Sequence, residues 1–266
     1  MKSKAEALGV KEYLPAYLDP LIKDKDLQTG VSFASGGSGF DPLTTTITTA
    51  IPMSVQLDMF KEYIQRLKRN IEEEPANNII TNSVVVVVAG NNDLFLSYPV
   101  RKLQYDVPAY SNMIAKIVLK FIQEIHTLGV RRMVIFSAPP IGCLPEVRTL
   151  YGGLQRSCAD QENIAAQLFN NILKEQLQLW TTSYPESRVA FIDYYNSMLR
   201  IIKSPHEYDR GCCGTGTIEV IYLCNILTPT CPDRSRYFFW DGFHLTEKGN
   251  NIIVNYIFED LVNALF

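Results

Sequence analysis

Histidine is scarce in this sequence. There are three in 266 residues: His126, His206 and His244. No Cys-x-x-Cys pair occurs, and His206 has no histidine near it, so the spacing of a structural zinc site is missing and no metal is expected. Positive charge is not in excess: 25 Lys+Arg against 28 Asp+Glu give a net charge of −3. That excludes a broad basic footprint for nucleic acid. No apolar run approaches the roughly 18 residues of a membrane-spanning helix. The longest, Val84-Val85-Val86-Val87-Val88-Ala89, has the length of a strand. The opening MKSKAEALGVKEYLPAYLDP holds no apolar stretch of signal-peptide length and no evident cleavage site, so as written it is expected to carry no secretion signal. Cysteine is absent from the first half and then appears six times: Cys143, Cys158, Cys212, Cys213, Cys224 and Cys231.

What is present is ordinary for a globular chain, with 47% hydrophobic and 20% charged residues. A chain of this length buries a sizeable core without metals or disulfides. No repeat or linker stands out, and a single domain over 1–266 is expected. Val31–Ala34 reads as a short strand entering the turn Ser35-Gly36-Gly37-Ser38-Gly39. The spacing of Val55, Met59, Phe60, Ile64, Leu67 and Ile71 predicts a helix over 55–71. The valines of 83–89 predict a strand buried on both faces, as in a parallel sheet. A second helix is expected over 107–128, ended by Gly129, and a strand over 132–136. A third helix is expected over 158–184 with Ile164, Leu168, Ile172 and Leu179 on one side. A fourth strand follows at 188–194, and a closing helix over 247–266 is capped by Thr246. Alternating strands and helices imply a parallel α/β sheet wrapped by helices. The stretch 206–240 is irregular and holds four cysteines, so it reads as a long stapled loop.

Disulfides suit the cysteines better than zinc or free thiols, and they imply an oxidising compartment. Cys143 and Cys158 enclose a turn-rich segment and are expected to bridge. Adjacent Cys212 and Cys213 can hardly bond each other, so each is expected to reach Cys224 or Cys231, in either pairing.

In an open parallel sheet, ligands bind at the carboxyl ends of the strands. There the sequence delivers Gly36-Gly37, then Gly90-Asn91-Asn92-Asp93, and later Trp240-Asp241-Gly242-Phe243-His244. Asp241 and His244 are three apart. On a tight turn the carboxylate accepts a hydrogen bond from one imidazole nitrogen and leaves the other as a general base. The Asn92 amide and the Gly36 backbone N–H suit a developing oxyanion. Together these are the parts of an acyl-transfer site. Each residue also has a plain structural role open to it. His244 can be a core or capping histidine, Asp241 a turn cap, Asn92 a turn residue, and Gly36 and Gly37 mere conformational hinges. Gly36-Gly37-Ser38-Gly39 is no phosphate loop, lacking the Gly-Lys-Ser/Thr ending. His126 reads as a helix-end residue without a catalytic part, and so does His206 in its loop.

Three segments resemble motif blocks of the plant GDSL-type esterase/lipases, a branch of the SGNH hydrolases: Gly30-Val31-Ser32-Phe33-Ala34-Ser35-Gly36-Gly37, Gly90-Asn91-Asn92-Asp93 and Asp241-Gly242-Phe243-His244. Ile141-Gly142-Cys143-Leu144-Pro145 and Gly211-Cys212-Cys213-Gly214 are also similar to that family, and the resemblance runs from about Leu8 to the C-terminus. It implies a flavodoxin-like three-layer α/β/α sandwich with a parallel sheet, serine ester hydrolysis of lipid or other carboxylic esters, secretion, and no cofactor. It casts His244 as base, Asp241 as its orienting carboxylate, Asn92 as oxyanion-hole side chain, and Gly36 as backbone donor with Gly37 next in line. Leu245 stands where the family often has proline.

The family's first block is a central strand ending in Gly-Asp-Ser, whose serine is the nucleophile. No Gly-Asp-Ser occurs in this sequence. The expectation is an N-terminally incomplete copy that lacks that strand and its nucleophile and is catalytically impaired. Ser35 and Ser38 lie near the presumed site, but their segment is expected to offer its main chain rather than a hydroxyl. The alternatives are a non-catalytic relative that binds a partner or a lipid-like ligand, and a non-functional truncated product.

Overall fold

A computed structural model describes residues 9–203, 208–215, 218 and 223–265. His206 lies outside the described residues. The chain divides into two compact units. One comprises Met1–Phe136, Phe169–Ile192 and Asp260–Phe266, and the other Ser137–Leu168 and Asp193–Glu259.

The first unit holds the sheet. Strands β1 (Val84–Val87), β2 (Arg132–Phe136) and β3 (Arg188–Ile192) lie parallel in the order β1-β2-β3. The register pairs Val84 with Arg132 and Val87 with Ile135, and Arg132 with Arg188 through Phe136 with Ile192. β2 is central, and Met133, Val134, Ile135 and Phe136 are all buried. Parallel pairing between sequential strands needs long crossovers. Helix α6 (Val107–Thr127) supplies the first and α8 (Asp160–Ser183) lies within the second. Asp106 opens α6 by accepting the Ala109 N–H at 2.8 Å, with Pro108 in the first turn.

Two expectations about the sheet are corrected. Val31–Ala34 is no strand of it. Ser32 makes only an isolated parallel bridge to Ala16, while Phe33 packs into a cluster with Tyr17, Phe60 and Tyr63 at centroid distances of 5.1, 5.7 and 5.8 Å. Aromatic burial rather than strand pairing sets the course of this segment. The valine run is not covered on both faces either: Val86 is 40% and Val88 53% exposed. Among the described residues, β1 has a strand neighbour on one side only.

Ahead of the sheet come α1 (Asp24–Leu27), α2 (Pro42–Thr48), α3 (Met53–Ile71) and α4 (Glu73–Asn82). α3 starts two residues before its expected start. It buries Met59, Phe60, Ile64 and Leu67 as expected but leaves Val55 44% exposed. α2 is built from PLTTTIT, a poor helix former by propensity. Its start is fixed by Asp41, which accepts the Leu43 N–H at 2.9 Å, and by Pro42. A π-helical turn, Asp93–Ser97, runs straight into α5 (Tyr98–Arg101).

The side of α8 that carries Ile164, Leu168, Ile172 and Leu179 is not its most buried one. Ile164 and Leu179 are 54% and 71% exposed, and the buried side chains are Ala166, Phe169, Leu173, Leu177 and Trp180. Two apolar stripes share this helix. The bulkier one is buried because Phe169 and Trp180 remove more apolar surface from water.

The second unit contains α7 (Pro145–Tyr151), α9 (Tyr194–Ile202) and most of α10 (Glu247–Leu265). Thr246 caps α10, its Oγ1 accepting the Gly249 N–H at 2.9 Å. Three disulfides staple this unit: Cys143–Cys158, Cys212–Cys231 and Cys213–Cys224. The first is the expected bridge, and the other two choose between the pairings that the sequence left open. Among the described residues, no helix is long and apolar enough to cross a membrane.

Candidate active site

The second unit carries Asp241 and His244. Residues 237–246 double back on themselves. The Trp240 N–H donates to His244 O at 2.7 Å and the Thr246 N–H to Phe238 O at 2.9 Å. These two bonds flank the antiparallel bridge between Phe239 and Leu245 and leave the Leu245 N–H out of it. A proline at that position would therefore sacrifice no ladder bond, and leucine there removes no hydrogen bond from the turn.

At the tip, Asp241 accepts three hydrogen bonds. Its Oδ1 takes the backbone N–H groups of Phe243 at 2.8 Å and His244 at 2.7 Å. Its Oδ2 takes His244 Nδ1–H at 2.8 Å. The carboxylate is buried and the imidazole is 65% exposed. Nδ1 is thus committed to Asp241, and Nε2 is left as the acceptor of the neutral ring. Burial alone would raise the Asp241 carboxyl, but the hydrogen bonds from His244 and Phe243 outweigh it and hold the group below the ordinary carboxylate value. The Asp241 bond in turn raises His244 above the usual imidazole value, with burial opposing it. The result is a more basic, oriented imidazole.

The disulfides stand directly behind this turn. The Cys212 and Cys213 N–H groups donate to Phe239 O at 3.1 Å and Trp240 O at 2.6 Å. Gly211 packs so closely that a Cβ there would lie 2.9 Å from the Asp241 Cα. The Glu146 N–H, within the loop closed by Cys143–Cys158, also donates to Gly242 O at 3.1 Å. This scaffold gives the cysteine-rich loop a role that sequence spacing did not reveal.

The first unit holds the other expected residues. Ser35 to Ser38 form a tight turn, closed by the Ser38 N–H on Ser35 O at 3.2 Å. Gly37 has φ 86°, which a type II turn demands at its third position. Gly36 is exposed, and among the described residues its N–H has no hydrogen-bond partner. Asn92 lies against the same turn, its Nδ2 donating to Ser38 O at 2.9 Å. The second N–H of that amide remains for another acceptor.

Sequence reasoning missed the residue that joins these two segments. Asp93 is fully buried and accepts from Phe40 N (2.9 Å), Asp41 N (2.8 Å) and Thr44 Oγ1 (2.6 Å). Gly39 makes room for it, since a Cβ there would fall 2.3 Å from the Asp93 carboxylate. Burial pushes Asp93 up to about 6 against the opposing hydrogen bonds from Thr44, Phe40 and Asp41. Asp41 is itself held by Arg101 through bonds of 2.8 and 2.9 Å and by the Tyr110 hydroxyl at 3.1 Å. Its carboxyl is lowered: burial works against the charge, and Arg101, Leu43 and Tyr110 overcome it. The only sequence cue was Asp93 following Asn92 at a strand end.

Both candidate substitute serines are engaged. Ser38 Oγ lies 2.7 Å from Ser35 O and 2.9 Å from Ile51 O and accepts from Gln56 Nε2 at 2.8 Å. Ser35 Oγ accepts the Ile51 N–H at 3.1 Å. His126 bonds Glu186 at 2.8 Å and packs against Trp180 and Tyr184, a structural role. Among the described residues, no group of three or more His, Cys, Asp or Glu side chains is placed to hold a metal ion.

The family model for GDSL-like lipase/acylhydrolase matches residues 3–257. The chain belongs to this family. The GDSL esterase/lipase EXL3 of Arabidopsis thaliana is 43% identical over 267 residues, an alignment that covers 97% of this chain and 73% of the relative. EXL2 of the same plant is 40% identical over 280 residues, covering 97% and 74%. A further Arabidopsis GDSL esterase/lipase is 44% identical over 257 residues, covering 94% and 73%. The parallel sheet with its crossover helices accords with the three-layer α/β/α fold of GDSL hydrolases.

Proposed function

We propose that this chain carries the general base and the oxyanion donors of a GDSL-type serine ester hydrolase but not its nucleophile. His244 is the base and Asp241 its orienting carboxylate. Gly36, through its backbone N–H, and Asn92, through its amide, are the donors to the oxyanion. The substrate is a carboxylic ester, small or lipid-like, and three disulfides suit an oxidising compartment. The observation that carries the reading is the Asp241–His244 turn. The buried carboxylate takes both N–H groups of one histidine and leaves Nε2 on an exposed ring, an arrangement that a capping or core histidine has no need of.

The 266 residues contain no Gly-Asp-Ser, and the hydroxyls of Ser35 and Ser38 are tied into their own turn. This supports impairment of the chain as written. With such groups an ester can be bound and polarised, but no acyl-enzyme forms. Loss of the nucleophile alone costs a serine hydrolase on the order of a millionfold in turnover. Stopped-flow mixing with p-nitrophenyl butyrate tests this. The expected trace has no burst of p-nitrophenolate, only a slow release that His244→Ala abolishes. A burst stoichiometric with protein would overturn the reading.

A further inference from the structure

The loop closed by Cys143–Cys158 ties its two arginines and its main chain together and buries Leu144 and Val147, yet it leaves three large apolar side chains at its tip in water. Arg148 Nε donates to Cys143 O at 2.8 Å and Nη1 to Arg156 O at 3.0 Å. Arg156 Nη2 reaches Pro145 O at 3.3 Å and Asp209 O at 3.4 Å. The main chain is tied by Gly152 N–H to Arg148 O and Ser157 N–H to Gly152 O, both 3.0 Å. Arg156 sits at φ 49°, a left-handed conformation that a bulky residue adopts only when its surroundings hold it there. At the tip, Leu154 is 102% exposed, Tyr151 55% and Leu150 51%. The sole carboxylate between the two cysteines, Glu146, is buried.

An ordered loop that holds Leu150, Tyr151 and Leu154 out in water offers a small apolar surface to a partner. We propose that the Leu150, Tyr151 and Leu154 tip docks this protein on a lipid surface, with the Asp241–His244 turn carried next to it. The Glu146 N–H bonds Gly242 O, and a helix rises about 1.5 Å per residue, so Leu150 and Tyr151 lie about 6–8 Å along α7 from that contact. Three side chains cannot supply the roughly 800 Å² per partner of a standard protein interface. They suffice for shallow insertion into a lipid boundary, where each apolar group adds its own share and a tyrosine ring sits with its hydroxyl at the polar side. No exposed carboxylate on the loop repels a headgroup. The disulfide and the arginine bonds have ordered the loop beforehand, so docking loses little conformational entropy. The use of this surface for ester substrates rests on the function proposed above; the docking itself does not.

The test is flotation of the folded, oxidised protein with vesicles of ether-linked phosphatidylcholine, which an esterase cannot cut. Failure of the ester-hydrolase reading therefore leaves the result untouched. The wild-type chain is expected to float with the vesicles and to remain bound in 1 M NaCl. The triple variant Leu150→Ser, Tyr151→Ser, Leu154→Ser is expected to lose at least tenfold in partition coefficient, with unchanged circular dichroism. Leu154→Ser alone, at a fully exposed position, is expected to lose about threefold and keeps the test valid if the triple variant misfolds. Leu179→Ser, an exposed apolar residue of α8, is expected to bind as wild type. Equal flotation of all variants, no flotation of the wild type, or release by salt overturns the proposal. So does a concentration-dependent dimer that the triple variant abolishes without any vesicle binding.

Discussion

At the scale of single residues, the Asp241–His244 pair makes a pH-dependent prediction. The folded His244 value is raised, so its contribution to stability is fully present below about 6.5, the ordinary value, and is lost as pH rises through the folded value. Asp241 is lowered, so its contribution is present above the ordinary carboxylate value and is lost as pH falls through the folded one. An NMR titration of the His244 ring should give a midpoint above 6.5, and Asp241→Asn should bring it to 6.5 or below. A midpoint unmoved by Asp241→Asn would show that the carboxylate does not govern the imidazole. Asp93 gives a second residue-scale prediction. Asp93→Ala strips the partner from two buried backbone N–H groups, Phe40 and Asp41, while the Thr44 hydroxyl keeps Ser97 Oγ at 2.6 Å. At about 1–3 kcal/mol for each orphaned group, urea unfolding should show a loss of at least about 2 kcal/mol. The sequence revealed Asp241 and His244 because their partnership spans three residues. It hid Asp93 because that carboxylate's partners lie roughly fifty positions earlier and depend on Gly39 having no side chain.

At the scale of elements, periodicity located the long helices and the central strand but not which face of a helix is buried. α8 carries two apolar stripes of similar spacing, and only the burial of Phe169, Leu173 and Leu177 shows which faces inward. Phe169→Ala should cost about 3–5 kcal/mol in denaturant unfolding and Leu179→Ala less than about 0.5 kcal/mol. The reverse order would place the wrong stripe inside. α2 was invisible to periodicity because five of its seven residues are Thr or Ile and its stability comes from Asp41 and Pro42 at its start. The cysteine pairs, ambiguous in sequence, are resolved by the segments they brace. Cys212 and Cys213 hold Phe239 and Trp240 through their N–H groups. Removal of the Cys143–Cys158 bridge should cost about 3 kcal/mol by the chain-entropy account. Reduction of all three should also lower the His244 titration midpoint, because the Asp241 turn loses its support.

At the scale of the whole molecule, the family and the α/β class were legible from five short motifs and the alternation of elements, since both are written in local pattern. The sheet's edge was not. Five consecutive valines predict a strand covered on both faces, yet among the described residues β1 has a strand neighbour on one side only, and Val86 and Val88 are exposed. An uncharged valine edge without proline invites pairing with other chains. Light scattering at rising protein concentration should show self-association that Val86→Lys suppresses. The proposed function assigns this chain a base and oxyanion donors but no activated serine. The most direct measurement is labelling of the folded, oxidised protein with a fluorophosphonate, with any modified residue mapped by mass spectrometry. The account predicts no labelled serine. A single stoichiometric label that disappears in His244→Ala would contradict it.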